Sequence, residues 1–184
     1  MKNRHSIRLK EYDYSQSGAY FITICAHDRE CLFGEIVNGQ IELNDVGRMI
    51  DKQWQDLKTR FPDIELDECV IMPNHFHGIV ILNPENYQTV GAGSSCPNET
   101  TKSSGDGGRE DRAPTLGDIV GYFKYRTTKQ INATPETGIK KLWQRNYYEH
   151  VLRNEAELNE IRQYIVDNPA KWDTDEENPN VKPS

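Results

Sequence analysis

Short apolar runs of β-branched and aromatic residues mark the strands of this chain. The run Tyr20–Ala26 (YFITICA) is short and apolar throughout, which predicts a buried strand. Two similar runs, Glu65–Met72 and His77–Leu82, predict two more strands with Pro73 between them. The segment Gly34–Asn44 carries an Asn-Gly pair between two alternating arms, which predicts a β-hairpin because both residues tolerate a positive φ.

Other segments repeat apolar residues at spacings of three and four, as amphipathic helices do. The helices predicted from this spacing are Asp45–Phe61, Thr115–Ile131 and Glu155–Asp167. Each has a polar side chain at its start that can cap the free N–H groups of the first turn. These capping residues are Asn44 or Asp45, Thr115 and Asn154. A last segment, Leu142–His150, is predicted to be a short strand or an extended stretch.

The predicted order is strand, hairpin, helix, two strands, helix, strand and helix. One antiparallel sheet with helices packed mainly on one face satisfies this order, so we predict an α+β fold of the ferredoxin-like type. We expect a single domain over residues 1–172, interrupted at about 83–114 by a flexible insertion rich in Gly, Ser, Thr and Asn. The acidic residues 173–184 are expected to form a loose tail.

Composition argues against several classes of protein. No apolar run approaches the ~20 residues that span a bilayer, and the polar, basic start Met1–Lys10 is unlike a secretory signal. We therefore expect a cytoplasmic protein without a membrane partner. The four cysteines form no CxxC pair, which argues against a cysteine zinc site.

The net charge of −7 argues against a nucleic-acid-binding protein, but the charge is unevenly distributed. Between Ile119 and Tyr148 six basic residues stand against a single acidic one, Glu136. This segment is either the solvated face of a helix or a surface that holds phosphates, with aromatic residues placed to stack on unpaired bases. The candidates for DNA contact are Lys124, Arg126, Lys129, Lys140, Lys141, Arg145, Trp143 and Tyr147.

The candidate chemistry centres on the segment MPNHFHG. Side chains alternate along a strand, so His75 and His77 point to one face and Phe76 to the other. Two imidazoles on one face can share a metal ion. The same pattern also fits two surface histidines that flank a core phenylalanine.

The last predicted helix carries a second candidate pair, Tyr164 and Asn168, within the motif YIVDNP. Residues four apart share a helical face, so the two side chains project together. The amide oxygen of Asn168 is a hard ligand that could complete a site with the two histidines. Oxygen ligands with open positions favour Mg²⁺ or Mn²⁺, whereas imidazoles also bind Mn²⁺ or Zn²⁺. The alternative is a core tyrosine followed by a C-cap ahead of Pro169.

The motifs VIMPNHFHGIV and YIVDNP resemble those of the single-tyrosine HUH transposases, the insertion sequence 200-like group and its REP-associated tyrosine transposase relatives. The segments YFITICAHDRECLF and LWQRNYYEHVLRNEAEL are similar to that family as well, and the resemblance covers roughly Arg4–Trp172. It implies that His75, His77 and Asn168 bind the metal and that Tyr164 is the nucleophile. Tyr147 and Tyr148 are the rival tyrosines, but they fall before the helix that carries the family's tyrosine.

The resemblance also implies the substrate and the reaction. Single-stranded DNA that carries a hairpin would be cleaved through a 5′-phosphotyrosine and rejoined, with Mg²⁺ or Mn²⁺ as the cofactor and a homodimer as one possible assembly. The alternatives are a nickase or replication initiator of the wider HUH class, a DNA-binding protein that has lost cleavage, and a metal-binding module without nucleic-acid function.

Overall fold

The computed structural model describes residues 17–83, 113–134 and 137–181. The predicted insertion lies almost entirely outside these ranges, as does the basic N-terminal segment. Among the helices in the described ranges, none is both long enough and apolar enough to cross a membrane.

The elements are numbered in chain order. They are β1 (Gly18–Cys25), β2 (Gly34–Val37), β3 (Gln40–Leu43), α1 (Asp45–Gln55), α2 (Leu57–Arg60), β4 (Ile64–Ile71), β5 (His75–Leu82), α3 (Leu116–Asn132), β6 (Tyr148–Leu152) and α4 (Glu155–Asp167). Two short 3₁₀ helices, His27–Arg29 and Pro169–Thr174, follow β1 and α4.

One four-stranded antiparallel sheet has the strand order β4-β5-β1-β6. The segments that contain α1 and α3 connect strands that are not neighbours in the sheet, which gives the split βαβ topology of a ferredoxin-like fold. The predicted fold class is therefore confirmed. The predicted hairpin forms the separate pair β2-β3, and Asn38 and Gly39 at its turn have φ values of 52° and 75°.

The helices α1, α2 and α3 cover one face of the sheet. Phe76 on β5 points into this face, where its ring centroid lies 4.7 Å from that of Trp54 and 5.3 Å from that of Phe123. Gly78, the next β5 residue on the same face, has no room for a side chain, since an added Cβ would come within 2.9 Å of both Phe76 and Trp54. The main core is therefore built around these rings.

Helix α4 covers the opposite face with a smaller apolar cluster. Leu158 and Ile165 of the helix pack with Phe21, Ile79 and Leu152 of the sheet. Because residues two apart in a strand share a face, His75 and His77 belong to this α4-covered face together with Ile79.

Three element boundaries differ from those predicted. The single helix predicted over Asp45–Phe61 is divided at Asp56, where the N–H of Thr59 bonds to the carbonyl of residue 56, three rather than four residues back. Strand β5 begins at His75, so both histidines lie within it. Strand β6 occupies Tyr148–Leu152, later than predicted, because the preceding stretch is held by contacts to α3 and to the end of β1.

The acidic C-terminal segment is docked rather than loose over its described part, residues 173–181. Glu177 and Asn178 are buried. The backbone carbonyl of Glu177 accepts a hydrogen bond from Asn74 Nδ2 at 2.7 Å, and its carboxylate lies 2.9 Å from the Nε of Arg29. The expectation of a loose tail was wrong here because composition shows the charge of a segment but not the partners that tertiary structure supplies.

We expect a chain ended after Trp172 to be less stable by about 1–3 kcal/mol, because Asn74 then loses one of its buried acceptors. Urea unfolding measures the difference. A chain ended after Val181 keeps every contact described above and serves as the control. Equal unfolding midpoints for the two truncated proteins would show that the docked segment contributes nothing to stability.

Candidate metal and tyrosine site

The two histidines of β5 form the centre of the candidate site. His75 is 0 % and His77 is 4 % exposed, and their ring centroids are 4.5 Å apart. The ring of His77 stacks on Phe21 of the neighbouring strand at 5.2 Å. The strand pairing that sets this contact places Thr23 opposite His77 and Cys25 opposite His75.

One nitrogen of each imidazole is held by a neighbouring side chain. His75 Nδ1 lies 2.8 Å from Asn74 Oδ1, and His77 Nδ1 lies 2.8 Å from Thr23 Oγ1. Burial lowers the pKa of His75 to about 4 and lowers the pKa of His77 well below its usual range. Both rings are therefore neutral near pH 7, which is the form that binds metal ions.

Tyr164 approaches the histidines from α4. Its hydroxyl lies 3.4 Å from His77 Nε2, and its ring meets Phe21 edge-on at a centroid distance of 6.0 Å. The side chain is nevertheless 40 % exposed, so a substrate can reach it. Burial raises the pKa of Tyr164, interaction with the Asn168 amide opposes that shift, and the carboxylate of Asp175 adds to it.

Asn168 follows directly on α4 and is 2 % exposed. The 3₁₀ helix that begins at Pro169 continues the helical course, so Asn168 stays on the face of Tyr164. Its Oδ1 is buried and has no hydrogen-bond partner within the described residues, and the same holds for His75 Nε2. Buried polar atoms without partners are rare in native proteins, so these two fit a site that takes a further ligand.

This donor set fits a divalent metal only if the amide oxygen of Asn168 takes part. Within residues 17–83, 113–134 and 137–181, no group of three or more His, Cys, Asp and Glu side chains is placed to hold a metal ion. Two neutral imidazoles and one amide oxygen would leave positions open, as a centre that binds substrate requires.

An ion pair fixes α4 on the sheet and so positions Tyr164. Arg162 lies two residues before the tyrosine and binds Asp67 through Nε at 3.0 Å and through its second guanidinium nitrogen at 2.5 Å. The pairing of β4 with β5 shifts register between Leu66 and Cys69, and Asp67 lies within this irregularity. Bulges of this kind turn a side chain out of the regular alternation.

The residues predicted to contact DNA fall into three groups, and the first consists of three residues that make contacts within the protein. Trp143 is buried and donates to Thr127 Oγ1 at 2.8 Å, Tyr147 packs against the main core, and Lys124 donates to the backbone carbonyls of Gln144 and Arg145. Structural contacts account for the positions of all three, and little of the Trp143 side chain is exposed.

The remaining basic candidates are exposed. Arg126 and Lys129 lie on α3, and Arg126 donates to Gln53 of α1, so this pair belongs to the face opposite the histidines. The other candidates lie on the segment that joins α3 to β6, which bonds to the end of β1 near His75. They are Lys140, Lys141 and Arg145.

Tyr148 is the rival tyrosine that the structure brings to the α4-covered face. It pairs with Thr23, is half exposed, and meets the ring of Phe21 edge-on at 6.4 Å. The sequence reasoning also missed Thr23, Asn74 and Asp175. Asn74 is adjacent to the histidine motif and could have been considered, whereas Thr23 requires the strand register, and Asp175, whose Oδ2 is 4.0 Å from His75 Nε2, requires the docked tail.

Comparison with known proteins identifies a relative by sequence and a solved structure of similar fold. No family model matches the chain. An uncharacterized protein of Haemophilus influenzae is 40 % identical over 174 residues, which are 95 % of this chain and 92 % of that protein. A solved structure of the REP-associated tyrosine transposase bound to a REP hairpin has the same fold, with a TM-score of 0.57, 20 % identity and coverage of 90 % of this chain and 74 % of that one.

The ion pair between Arg162 and Asp67 predicts that the substitution Asp67→Asn changes the stability of the protein by an amount that depends on pH. The side-chain hydrogen bonds from Arg162 lower the pKa of Asp67, so the pair stabilises the folded state above the unfolded pKa of ~3.9 and loses that effect as the pH falls further. The variant should therefore be less stable at pH 7, by up to about 1 kcal/mol for a partly exposed pair.

Thermal unfolding of both proteins between pH 7 and pH 3 measures this difference, which should shrink toward the acid end. Asp173→Asn, which removes an exposed carboxylate, is the control. A destabilisation by Asp67→Asn that is the same at every pH would mean that the charge of Asp67 is not what holds α4.

Proposed function

The chain belongs to the same family as the Haemophilus influenzae protein, and from its fold and site we propose that it is a metal-dependent DNA strand-transfer enzyme with Tyr164 as the nucleophile. The observation that carries the proposal is the position of the Tyr164 hydroxyl, 3.4 Å from His77 Nε2. A partly exposed tyrosine thus lies next to a buried pair of neutral imidazoles, close to the protein surface.

The metal ligands would be His75, His77 and Asn168. A bound Mg²⁺ or Mn²⁺ would polarise a non-bridging phosphate oxygen and stabilise the negative charge of the transition state. The Nδ1 contacts to Asn74 and Thr23 hold the two rings in place, as partners of metal-binding histidines do. The ligand set is supported by two buried atoms that have no hydrogen-bond partner among the described residues, His75 Nε2 and Asn168 Oδ1.

Tyr164 would form the covalent link to DNA. Its oxygen attacks phosphorus, a bond to the 5′-phosphate forms, and the bond from phosphorus to the 3′-oxygen breaks. The phenolic proton passes to solvent and the departing 3′-oxygen takes one up, which leaves a 3′-hydroxyl. Attack of a 3′-hydroxyl on the phosphotyrosine then reverses these steps and rejoins DNA, so no nucleotide cofactor is consumed.

Hairpin DNA is the substrate that we propose. The solved transposase with the same fold holds a REP hairpin, and the present fold leaves the tyrosine side of the sheet partly open beside β6. Tyr148 lies there with its ring half exposed and is placed to stack on an unpaired base. Lys140, Lys141 and Arg145 are the exposed cations that we propose hold the DNA backbone.

We propose that Tyr164 acts on the metal site of its own chain. Helix α4 packs on its own sheet through Leu158 and Ile165 and is held there by the pair Arg162–Asp67. A site completed in this way needs no residue from a second copy, and a monomer is therefore the simplest active form.

Tyr164→Phe should abolish the covalent adduct and leave DNA binding nearly unchanged, because only the attacking oxygen is removed. The assay incubates the protein with Mn²⁺ and a labelled hairpin oligonucleotide and separates the adduct on a denaturing gel. Tyr148→Phe is the matched control and should still form the adduct. An adduct formed by Tyr164→Phe, or its loss only in Tyr148→Phe, would assign the nucleophile to another residue.

His75→Ala and His77→Ala should each lower the cleavage rate by roughly 10²-fold or more, since a metal ion supplies several kcal/mol of transition-state stabilisation. His150→Ala is the control, because that histidine pairs with Glu157 and has no contact with the β5 histidines among the described residues. Unchanged Mn²⁺-dependent cleavage by the first two variants would contradict the ligand assignment.

A further inference from the structure

Asn74, the residue between β4 and the first histidine, is buried completely. Its Nδ2 donates to the backbone carbonyls of Glu177 at 2.7 Å and of Arg29 at 3.1 Å. Its Oδ1 lies 2.8 Å from His75 Nδ1. Both N–H groups and the oxygen of this amide are therefore engaged, which a buried amide requires if its desolvation is to be offset.

These contacts determine which way the amide points. A backbone carbonyl can only accept a hydrogen bond, so the NH₂ group of Asn74 must face Arg29 and Glu177. The amide oxygen then faces His75 and can only accept, so the hydrogen must be carried by His75 Nδ1. In a neutral ring that leaves the lone pair on Nε2.

The opposite nitrogen of His75 is therefore prepared to bind a cation. His75 Nε2 is buried and has no hydrogen-bond partner in the part of the chain that the structure describes. The carboxylate oxygen Asp175 Oδ2 lies 4.0 Å from it, which is beyond hydrogen-bond distance. The lone pair of a buried nitrogen has lost its contact with water, and only a bound ligand would compensate for that loss here.

We propose that Asn74 is a positioning residue of the metal centre, which fixes His75 as the Nδ1–H tautomer and presents its Nε2 lone pair to the metal. This inference rests on the proposed function for the metal itself. It adds a role for a residue that touches neither the metal nor the DNA phosphate.

The tautomer of the second histidine, His77, is not fixed in the same way. The partner of His77 Nδ1 is the Thr23 hydroxyl, which can donate or accept and so permits either tautomer. Asn74 is also linked to two other parts of the chain, the turn at Arg29, whose φ is 59°, and the docked segment at Glu177. The tautomer of His75 thus depends on the Asn74 amide, which contacts three segments of the chain: the turn at Arg29, the start of β5 and the docked segment at Glu177.

The test measures the ring tautomer directly in the protein without metal. With ¹⁵N-labelled histidine, two-bond NMR correlations distinguish the protonated from the unprotonated ring nitrogen. The wild-type protein should show His75 as a single Nδ1–H tautomer. A wild-type His75 protonated at Nε2, or present as a mixture of tautomers, would overturn the proposal whatever the variants do.

Three variants separate this role from mere folding. Asn74→Ala removes the acceptor and should give a mixture of tautomers at His75. Asn74→Asp loses the same two donors but keeps an acceptor for Nδ1, so it should restore the single tautomer. Asn178→Ala removes another buried amide of the docked segment, one that bonds to the carbonyl of Trp172, and should leave His75 unchanged. A single Nδ1–H tautomer in Asn74→Ala would contradict the proposal.

A titration with Mn²⁺ alone, followed by the EPR signal of the free ion, gives the second readout. Asn74→Ala should bind Mn²⁺ about 10–100-fold more weakly than the wild type, the range seen when a partner of a metal-binding histidine is removed. Equal affinities in the two proteins would contradict the role of Asn74 alone. A wild-type protein that binds no Mn²⁺ would instead contradict the proposed function.

Discussion

The antiparallel pairing of β1 with β5 is the constraint on which the candidate site depends. Its register sets Thr23 opposite His77 and Cys25 opposite His75, and it places Phe21 beside the ring of His77. A shift of one residue would turn the histidines to the other face of the sheet. The core resists such a shift, because Phe76 would then leave its place between Trp54 and Phe123.

The same face of the sheet receives the tyrosine because α4 packs there. Leu158 and Ile165 anchor the helix in an apolar cluster separate from the main core, and Arg162 ties it to Asp67 on β4. Enclosure beneath the helix and the docked C-terminal segment keeps both imidazoles neutral, while Tyr164 at the rim retains contact with solvent. The histidines and Tyr164 thus meet at a boundary between buried and exposed surface.

Sequence periodicity predicted the ferredoxin-like fold, the hairpin at Asn38 and the shared face of the two histidines, because these features follow from local spacing. It failed for the docked tail, where Glu177 binds Asn74 across more than 100 residues of chain. The mixture of basic and aromatic residues between Ile119 and Tyr148 made Trp143 a candidate for DNA contact, whereas the structure buries most of its side chain. Partners brought together by tertiary structure leave no local signal, and the convergence of Tyr164 on His77 followed from family resemblance rather than from spacing.

We propose that His75 and His77 bind one metal ion beside Tyr164. Pulsed EPR of the protein with one equivalent of Mn²⁺ can detect these ligands, because nitrogen ligands couple magnetically to the bound ion. We expect coupling to two histidine nitrogens, reduced to one in each of the variants His75→Gln and His77→Gln. Bound Mn²⁺ that shows no histidine nitrogen coupling would contradict it.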